Sequence, residues 1–156
     1  MKVDKVLLVD DDASIRRIAE IVLSKLKNWK IIQAESGTKA LEILKEEKPD
    51  VVLMDVMMPK MDGVTAFNKM KESGYEMTPV IFMTAKVQNR EVAAYKEMGA
   101  AGVITKPFAP AELPGQIERI LEEWGDNTAR INVADETVER EAQPTEAALT
   151  SVPEAG

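Results

Sequence analysis

The 156-residue chain can hold one domain of ordinary size or a smaller domain with a tail, and its 45% apolar and 30% charged residues suffice to fill and solvate one core. A formal charge of -7 argues against the clustered Lys and Arg of a phosphate-backbone surface, so no nucleic-acid partner is expected. With no Cys and no His, the sequence excludes disulfides, thiolate and imidazole metal ligands, cysteine nucleophiles and the Ser-His-Asp triad, which leaves carboxylates, hydroxyls and lysines for chemistry.

The first apolar run, Val6 to Val9, is short and β-branched at both ends, which suits a buried strand; Asp10, Asp11 and Asp12 follow it. Ile15, Ile18, Ala19, Val22 and Leu26 then recur at helical spacing, with Asp12 as the favoured N-cap. Ile31 and Ile32 mark a second strand, which ends blandly in Gln33, Ala34 and Glu35. Ser36 caps a second helix with Ala40, Leu41 and Leu44 on its apolar side. Val51 to Met54 is a third strand, followed by Asp55, and Val64, Phe67 and Met70 define a third helix closed by Gly74. Val80 to Met83 is a fourth strand, followed by Thr84, and Val92, Tyr95 and Met98 define a fourth helix closed by Gly99. Gly102 to Ile104 is a fifth strand, followed by Lys106 and Pro107, and Leu113, Ile117, Ile120, Leu121 and Trp124 form the last helical stripe. Ala109 is a poor N-cap, and Pro114 in a helix interior would cost about 3 kcal/mol. The sequence therefore predicts either a kink there or a regular helix that begins only near Pro114.

Five strands alternating with five helices make an α/β domain. Right-handed crossovers give a doubly wound five-stranded parallel sheet with helices on both faces. This domain spans residues 1–125. Residues 126–156 hold seven acids, two bases and no aromatic residue, so they are expected to form an acidic, disordered tail too short for a second domain. The longest uninterrupted apolar runs hold four residues, against the ~20 of a membrane span. The acids at 10–12 break any signal-peptide pattern, so a cytoplasmic location without membrane contact is expected.

In doubly wound sheets, sites form beyond the carboxyl ends of the strands. Here those ends carry Asp10, Asp11, Asp55, Thr84 and Lys106. One acid after a strand is usually a cap or a turn residue. Three acids at one rim repel each other, and a divalent cation removes that cost. Oxygen ligands alone select Mg²⁺ or Mn²⁺. A carboxylate such as Asp55 can form an aspartyl phosphate, with Lys106 pairing one phosphoryl oxygen and the Thr84 hydroxyl donating to another.

The motifs Val9-Asp10-Asp11, Met54-Asp55 through Pro59-Lys60-Met61-Asp62-Gly63, Met83-Thr84-Ala85 and Lys106-Pro107-Phe108 follow one another at spacings of 44, 29 and 22 residues between Asp11, Asp55, Thr84 and Lys106. In this the sequence resembles the response-regulator receiver domain of two-component signalling, over residues 3 to about 124. The resemblance implies a flavodoxin-like sheet in order 2-1-3-4-5. It implies that Asp55 is the phosphoacceptor and that Asp10 and Asp11 hold Mg²⁺, Asp11 directly and Asp10 mainly through water. The backbone carbonyl of Met57 is a further metal ligand by the same likeness, Thr84 the switch hydroxyl and Lys106 the phosphate-binding lysine, with a cis Lys106-Pro107 bond. The implied partners are a sensor histidine kinase or a histidine phosphotransfer protein, and a downstream protein bound through the face of helix 4, strand 5 and helix 5. The implied function is that of a stand-alone receiver, not an enzyme acting on other substrates.

Two features depart from the family pattern. Val103 stands where the family usually has Tyr or Phe, so the aromatic switch is absent or replaced; Tyr95 is a candidate substitute, although packing suits it better. Met57 and Lys86 flank the phosphoryl site, and a thioether orients water poorly, which predicts slow self-dephosphorylation. Two other readings stay open at this point. Asp10 and Asp12 after a first strand could serve a haloacid-dehalogenase-type phosphatase with Asp10 as nucleophile, though the acidic pair that family needs downstream of the lysine is missing. The site could also be inactive, leaving a pseudo-receiver that only binds partners.

Overall fold

The computed structural model describes residues 2–85 and 87–127. The described residues up to Glu122 form one compact unit, and of the second unit, from Glu123 onward, residues 123–127 are described. Lys86 and nearly all of the predicted tail lie outside the described residues.

The chain runs β1 (Lys5–Val9), α1 (Ala13–Lys27), β2 (Lys30–Ala34), α2 (Gly37–Leu44), β3 (Val51–Asp55), α3 (Gly63–Glu72), β4 (Val80–Thr84), α4 (Asn89–Glu97), β5 (Gly102–Thr105) and a 3₁₀ turn (Pro110–Glu112). A fifth helix, α5, covers 113–127. The strands form one sheet in the order β2-β1-β3-β4-β5, and every neighbouring pair is parallel. The three inner strands read as continuous apolar runs because both their faces are covered. On one face Leu7, Val9, Val52, Met54, Val80 and Phe82 cluster with Ala40, Leu44, Ala66, Phe67 and Met70 of α2 and α3. Strand alternation turns Val6, Leu8, Leu53, Ile81 and Met83 to the other face, and these are equally buried.

Local chemistry sets the helix starts. Asp12 caps α1, its carboxylate accepting from the N–H of Ser14 at 2.8 Å. Ser36 caps α2 by accepting from the N–H of Lys39 at 3.1 Å, and Asp62 caps α3 by accepting from Thr65 at 2.8 Å. That last bond holds the Asp62 carboxyl below its ordinary range. Gly74 and Gly99 end α3 and α4 at φ of +92° and +111°, the left-handed region that disfavours a Cβ.

The stripe expected on α1 needs correction. Ala19 and Leu23 are its buried residues, whereas Ile18 and Leu26 are 43% and 59% exposed. The apolar arc of this helix is wider than the strip the sheet covers, so spacing alone does not fix its rotation. For α5 the second of the two expected arrangements holds. The 3₁₀ turn begins at Pro110, the α-helix begins at residue 113, and Pro114 falls in its first turn, where a missing N–H interrupts no helical bond.

Gly63 opens α3 directly under the end of β3. A Cβ there would lie 2.3 Å from the Asp55 carbonyl oxygen and 3.0 Å from the Val56 Cα. Backbone atoms cannot yield as a side chain can, so Gly63→Ala is expected to cost about 1–3 kcal/mol. An unchanged urea midpoint for this variant would show that the loop has slack the structure does not display.

Candidate phosphoryl and cation site

The sheet register brings the functional side chains to one rim. Val9 lies opposite Met54, Asp55 opposite Met83, and Thr84 opposite Thr105. The ladder extends past the strand ends: the Asp10 N–H donates to Ala34 O at 3.1 Å, Val56 to Met83 O at 3.0 Å and Lys106 to Thr84 O at 3.0 Å. Asp10 and Lys106 are thus fixed by backbone bonds on either side of Asp55. The Lys106-Pro107 peptide is cis, as the resemblance implies.

Asp10, Asp55 and Thr84 are the buried polar residues of the described chain, while Asp11 is exposed. One carboxylate oxygen from each of Asp10, Asp11 and Asp55 lies within 4.8 Å of the others. Lys106 Nζ stands 2.9 Å from Asp10 Oδ2 and 3.4 Å from Asp55 Oδ2. Asp10 Oδ1 accepts from the Asp12 N–H at 2.9 Å, and Asp55 Oδ1 accepts from the Met57 N–H at 3.3 Å. Burial, with the Asp10 charge beside it, pushes the Asp55 carboxyl up from 3.8 to about 6, although Lys106 and the Met57 amide act against the shift. Burial disfavours the charged form of Lys106, but its hydrogen bond to Asp10 and the charges of Asp10 and Asp55 outweigh this and raise its pKa.

These residues fit a hard divalent cation. Three carboxylates converge, all donors are oxygen, and among the described residues one ammonium, that of Lys106, faces them, which leaves a net negative rim. The structure therefore brings together Asp10, Asp11, Asp55 and Lys106, with Thr84 at the end of the adjoining strand. Met57 sits beside them with its side chain 77% exposed.

Other expectations fare variously. Val103 is half-buried against the apolar core, and the Tyr95 ring packs 5.0 Å from that of Phe82. Asp12, which the phosphatase alternative needs as an acid, is engaged as the α1 cap. Sequence reasoning missed Arg16 and Gln33. The Arg16 Nη1 donates to the Asp10 carbonyl at 2.6 Å and its Nε to Gln33 Oε1 at 3.0 Å. The only available signal was that Gln33 stands at a strand end of the same rim. A larger groove of about 830 Å³ lies at the opposite end of the sheet, between Val3, Trp29 and Leu121, and contains none of these groups.

A parallel 2-1-3-4-5 sheet with acids, a hydroxyl and an amine at its carboxyl rim defines a flavodoxin-like α/β domain whose candidate site lies at that rim. Comparison with known proteins narrows that class. Residues 6–118 match the response regulator receiver domain, and the chain belongs to that family. Receiver domains are signalling modules of two-component systems that interact with histidine kinases. The chain is 39% identical over 121 residues to the probable transcriptional regulator ycf27 of Porphyridium aerugineum, covering 78% of this chain and 49% of that protein. It is 34% identical to the alkaline phosphatase synthesis transcriptional regulatory protein PhoP of Bacillus subtilis, covering 75% and 48%. The chain thus spans about half the length of these curated relatives. Among solved structures, the chemotaxis response regulator CheY4 of Vibrio cholerae superposes with a TM-score of 0.70 at 31% identity, over 76% of this chain and 99% of that one. The BeF₃-activated DrrB receiver domain gives 0.65 at 31% identity, over 78% and 99%. Family membership removes the ground for the phosphatase alternative. No helix among the described residues is long and apolar enough to cross a membrane.

Proposed function

We infer that the chain accepts a phosphoryl group on Asp55 from the phosphohistidine of a sensor histidine kinase or a histidine phosphotransfer protein, in a Mg²⁺-dependent reaction. One observation carries this reading: a nearly buried Asp55 carboxylate faces Asp10 and the Lys106 ammonium at the mouth of a parallel sheet. In the reaction an Asp55 oxygen bonds to phosphorus, the phosphorus–nitrogen bond breaks, and the imidazole leaves on the partner. Lys106 would then pair with one phosphoryl oxygen and the Thr84 hydroxyl donate to another. Asp11, Asp55 and the Met57 backbone carbonyl would hold Mg²⁺, or Mn²⁺, which takes the same donors. Asp10 would act mainly through water, since both its carboxylate oxygens already accept from protein donors. When bound, the cation neutralises charge on the phosphoryl oxygens. The chain's own chemistry is limited to its phosphorylation and hydrolysis.

Output through α4, β5 and α5 is supported by how loosely α4 is held. None of its residues is fully buried and its N-cap, Gln88, makes no side-chain cap bond. Its C-terminus is fastened instead, where Lys71 Nζ donates to the Met98 carbonyl at 2.6 Å. Acetyl phosphate with Mg²⁺ should retard the protein on a phosphate-affinity gel. No shift would reject the reading in favour of an inactive pseudo-receiver.

Met57 also yields a rate prediction. Its exposed thioether gives an attacking water no good hydrogen-bond partner, whereas an amide would. Met57→Asn should lose its phosphoryl group several-fold faster than the parent protein in a single-turnover decay. Equal decay would place the control of hydrolysis elsewhere.

A further inference from the structure

We propose that Arg16 is a positioning residue for the cation site, held in that role by Gln33 and Glu20; the inference rests on the cation reading above. Arg16 is half-buried on α1 and uses two edges of its guanidinium at once. Nη1 donates to the Asp10 carbonyl at 2.6 Å, and Nε donates to Gln33 Oε1 at 3.0 Å. The Gln33 amide is itself fixed, because its Nε2 donates to Glu20 Oε1 at 2.7 Å. Turning the amide over would oppose donor to donor at Arg16 and oxygen to oxygen at Glu20. A rigid planar fork thus ties α1 and edge strand β2 to the backbone at the end of β1.

The Asp10 carbonyl belongs to the peptide that leads into Asp11. The Asp10 carboxylate has its own holds, the Asp12 N–H and Lys106. Asp11 has none: it is exposed, and no hydrogen bond or ion pair to its carboxylate is found among the described residues. Its backbone is presented by the 10–11 peptide, whose carbonyl Arg16 holds, while the Asp10 N–H bond to Ala34 O fixes the preceding 9–10 peptide. A ligand without packing partners depends on such outer contacts for its preorganisation.

Arg16 has two effects of opposite sign on a cation. Its charge near the acids opposes binding, and its grip on the peptide favours it. The grip is expected to outweigh the charge, because the guanidinium bonds a carbonyl and an amide rather than either carboxylate of the acid pair.

The test is calorimetric titration of the full chain with Mg²⁺ and with Mn²⁺, with no phosphodonor present and the thermal midpoint measured alongside. Arg16→Lys keeps the charge and loses the fork, and its Kd should rise about threefold to tenfold. Gln33→Met should weaken binding less. The double variant should be no weaker than Arg16→Lys alone, since the two residues act as one unit. Arg16→Lys binding within roughly twofold of the parent, with or without a lowered thermal midpoint, overturns the proposal. So does tighter binding by Arg16→Met, which would mark repulsion as the dominant effect. A parent protein that binds neither cation overturns the cation reading itself, and this inference with it.

Discussion

Replacing Asp55 with Asn is expected to abolish phosphorylation by acetyl phosphate and, in the same protein, to raise its resistance to urea at neutral pH. The first effect follows from the loss of the nucleophilic oxygen. The second follows from the raised Asp55 carboxyl, which burial and the neighbouring Asp10 charge push up from the ordinary 3.8 to about 6. A carboxyl that is harder to ionise in the folded than in the unfolded state destabilises the fold wherever it is ionised in both. At neutral pH that destabilisation is fully present, and the shift corresponds to about 2–3 kcal/mol as an upper figure. As pH falls from 6 towards 3.8 the folded protein takes up its proton first and the destabilisation disappears. The stability difference between Asp55→Asn and the parent should therefore be largest at neutral pH and vanish in acid. Reading the difference between the two proteins removes the titration of the other carboxylates, which they share. Saturating Mg²⁺ should narrow the gap, because only the parent gains from compensation of the Asp55 charge. Urea curves at several pH values measure all of this. A difference that stays flat with pH would show that the carboxylate is not under strain, and with it the electrostatic argument for a cation would fail.

The sequence made this site legible for a simple reason. In a parallel sheet the carboxyl ends share one rim, so residues that directly follow short Val- and Ile-rich runs must converge. Asp10, Asp55, Thr84 and Lys106 all occupy such positions. What remained hidden depends on contacts rather than order. Gln33 looks like an ordinary strand-end residue until the pairing of Leu8 with Gln33 sets it beside β1, within reach of a helix seventeen positions earlier. The rotation of α1 was equally illegible, since Ile15, Ile18, Ile21, Val22, Leu23 and Leu26 offer more apolar surface than the sheet can cover. Lys71 reads as a solvated lysine in the last turn of α3. In the fold its ammonium lies 4.8 Å over the Phe67 ring and fastens the end of α4. Helical spacing places Lys71 beside Phe67 but cannot find its bond to Met98, which joins elements whose spacing in space is not written in their spacing along the chain.

Lys106→Met tests the other half of the rim and should be the most disruptive single change there. The methionine roughly fills the space of the lysine stem but leaves Asp10, fully buried, without the ammonium 2.9 Å away, and leaves Asp55 facing a like charge. Removing one partner of a buried pair costs about 3–5 kcal/mol, and the 18% exposure of the Lys106 side chain lowers the expectation to about 2–4 kcal/mol. The raised Lys106 pKa means that its own contribution is fully present below 10.5 and is lost as pH rises from there through its folded pKa. Any pH dependence of the deficit near neutrality must then come from the acids. Without Lys106 the Asp55 carboxyl should rise further, so the deficit should shrink as pH is lowered. Adding Asp55→Asn to Lys106→Met should recover part of the loss, because the worst repulsion is between Asp10 and Asp55; the double-mutant cycle should therefore be non-additive by about 1 kcal/mol or more. Phosphorylation by acetyl phosphate should also slow by about a hundredfold, the usual effect of deleting a charge that faces a transferring group. Simple additivity of the two substitutions would mean that the ammonium stabilises the fold through packing of its stem alone, and that the rim does not function as one electrostatic unit.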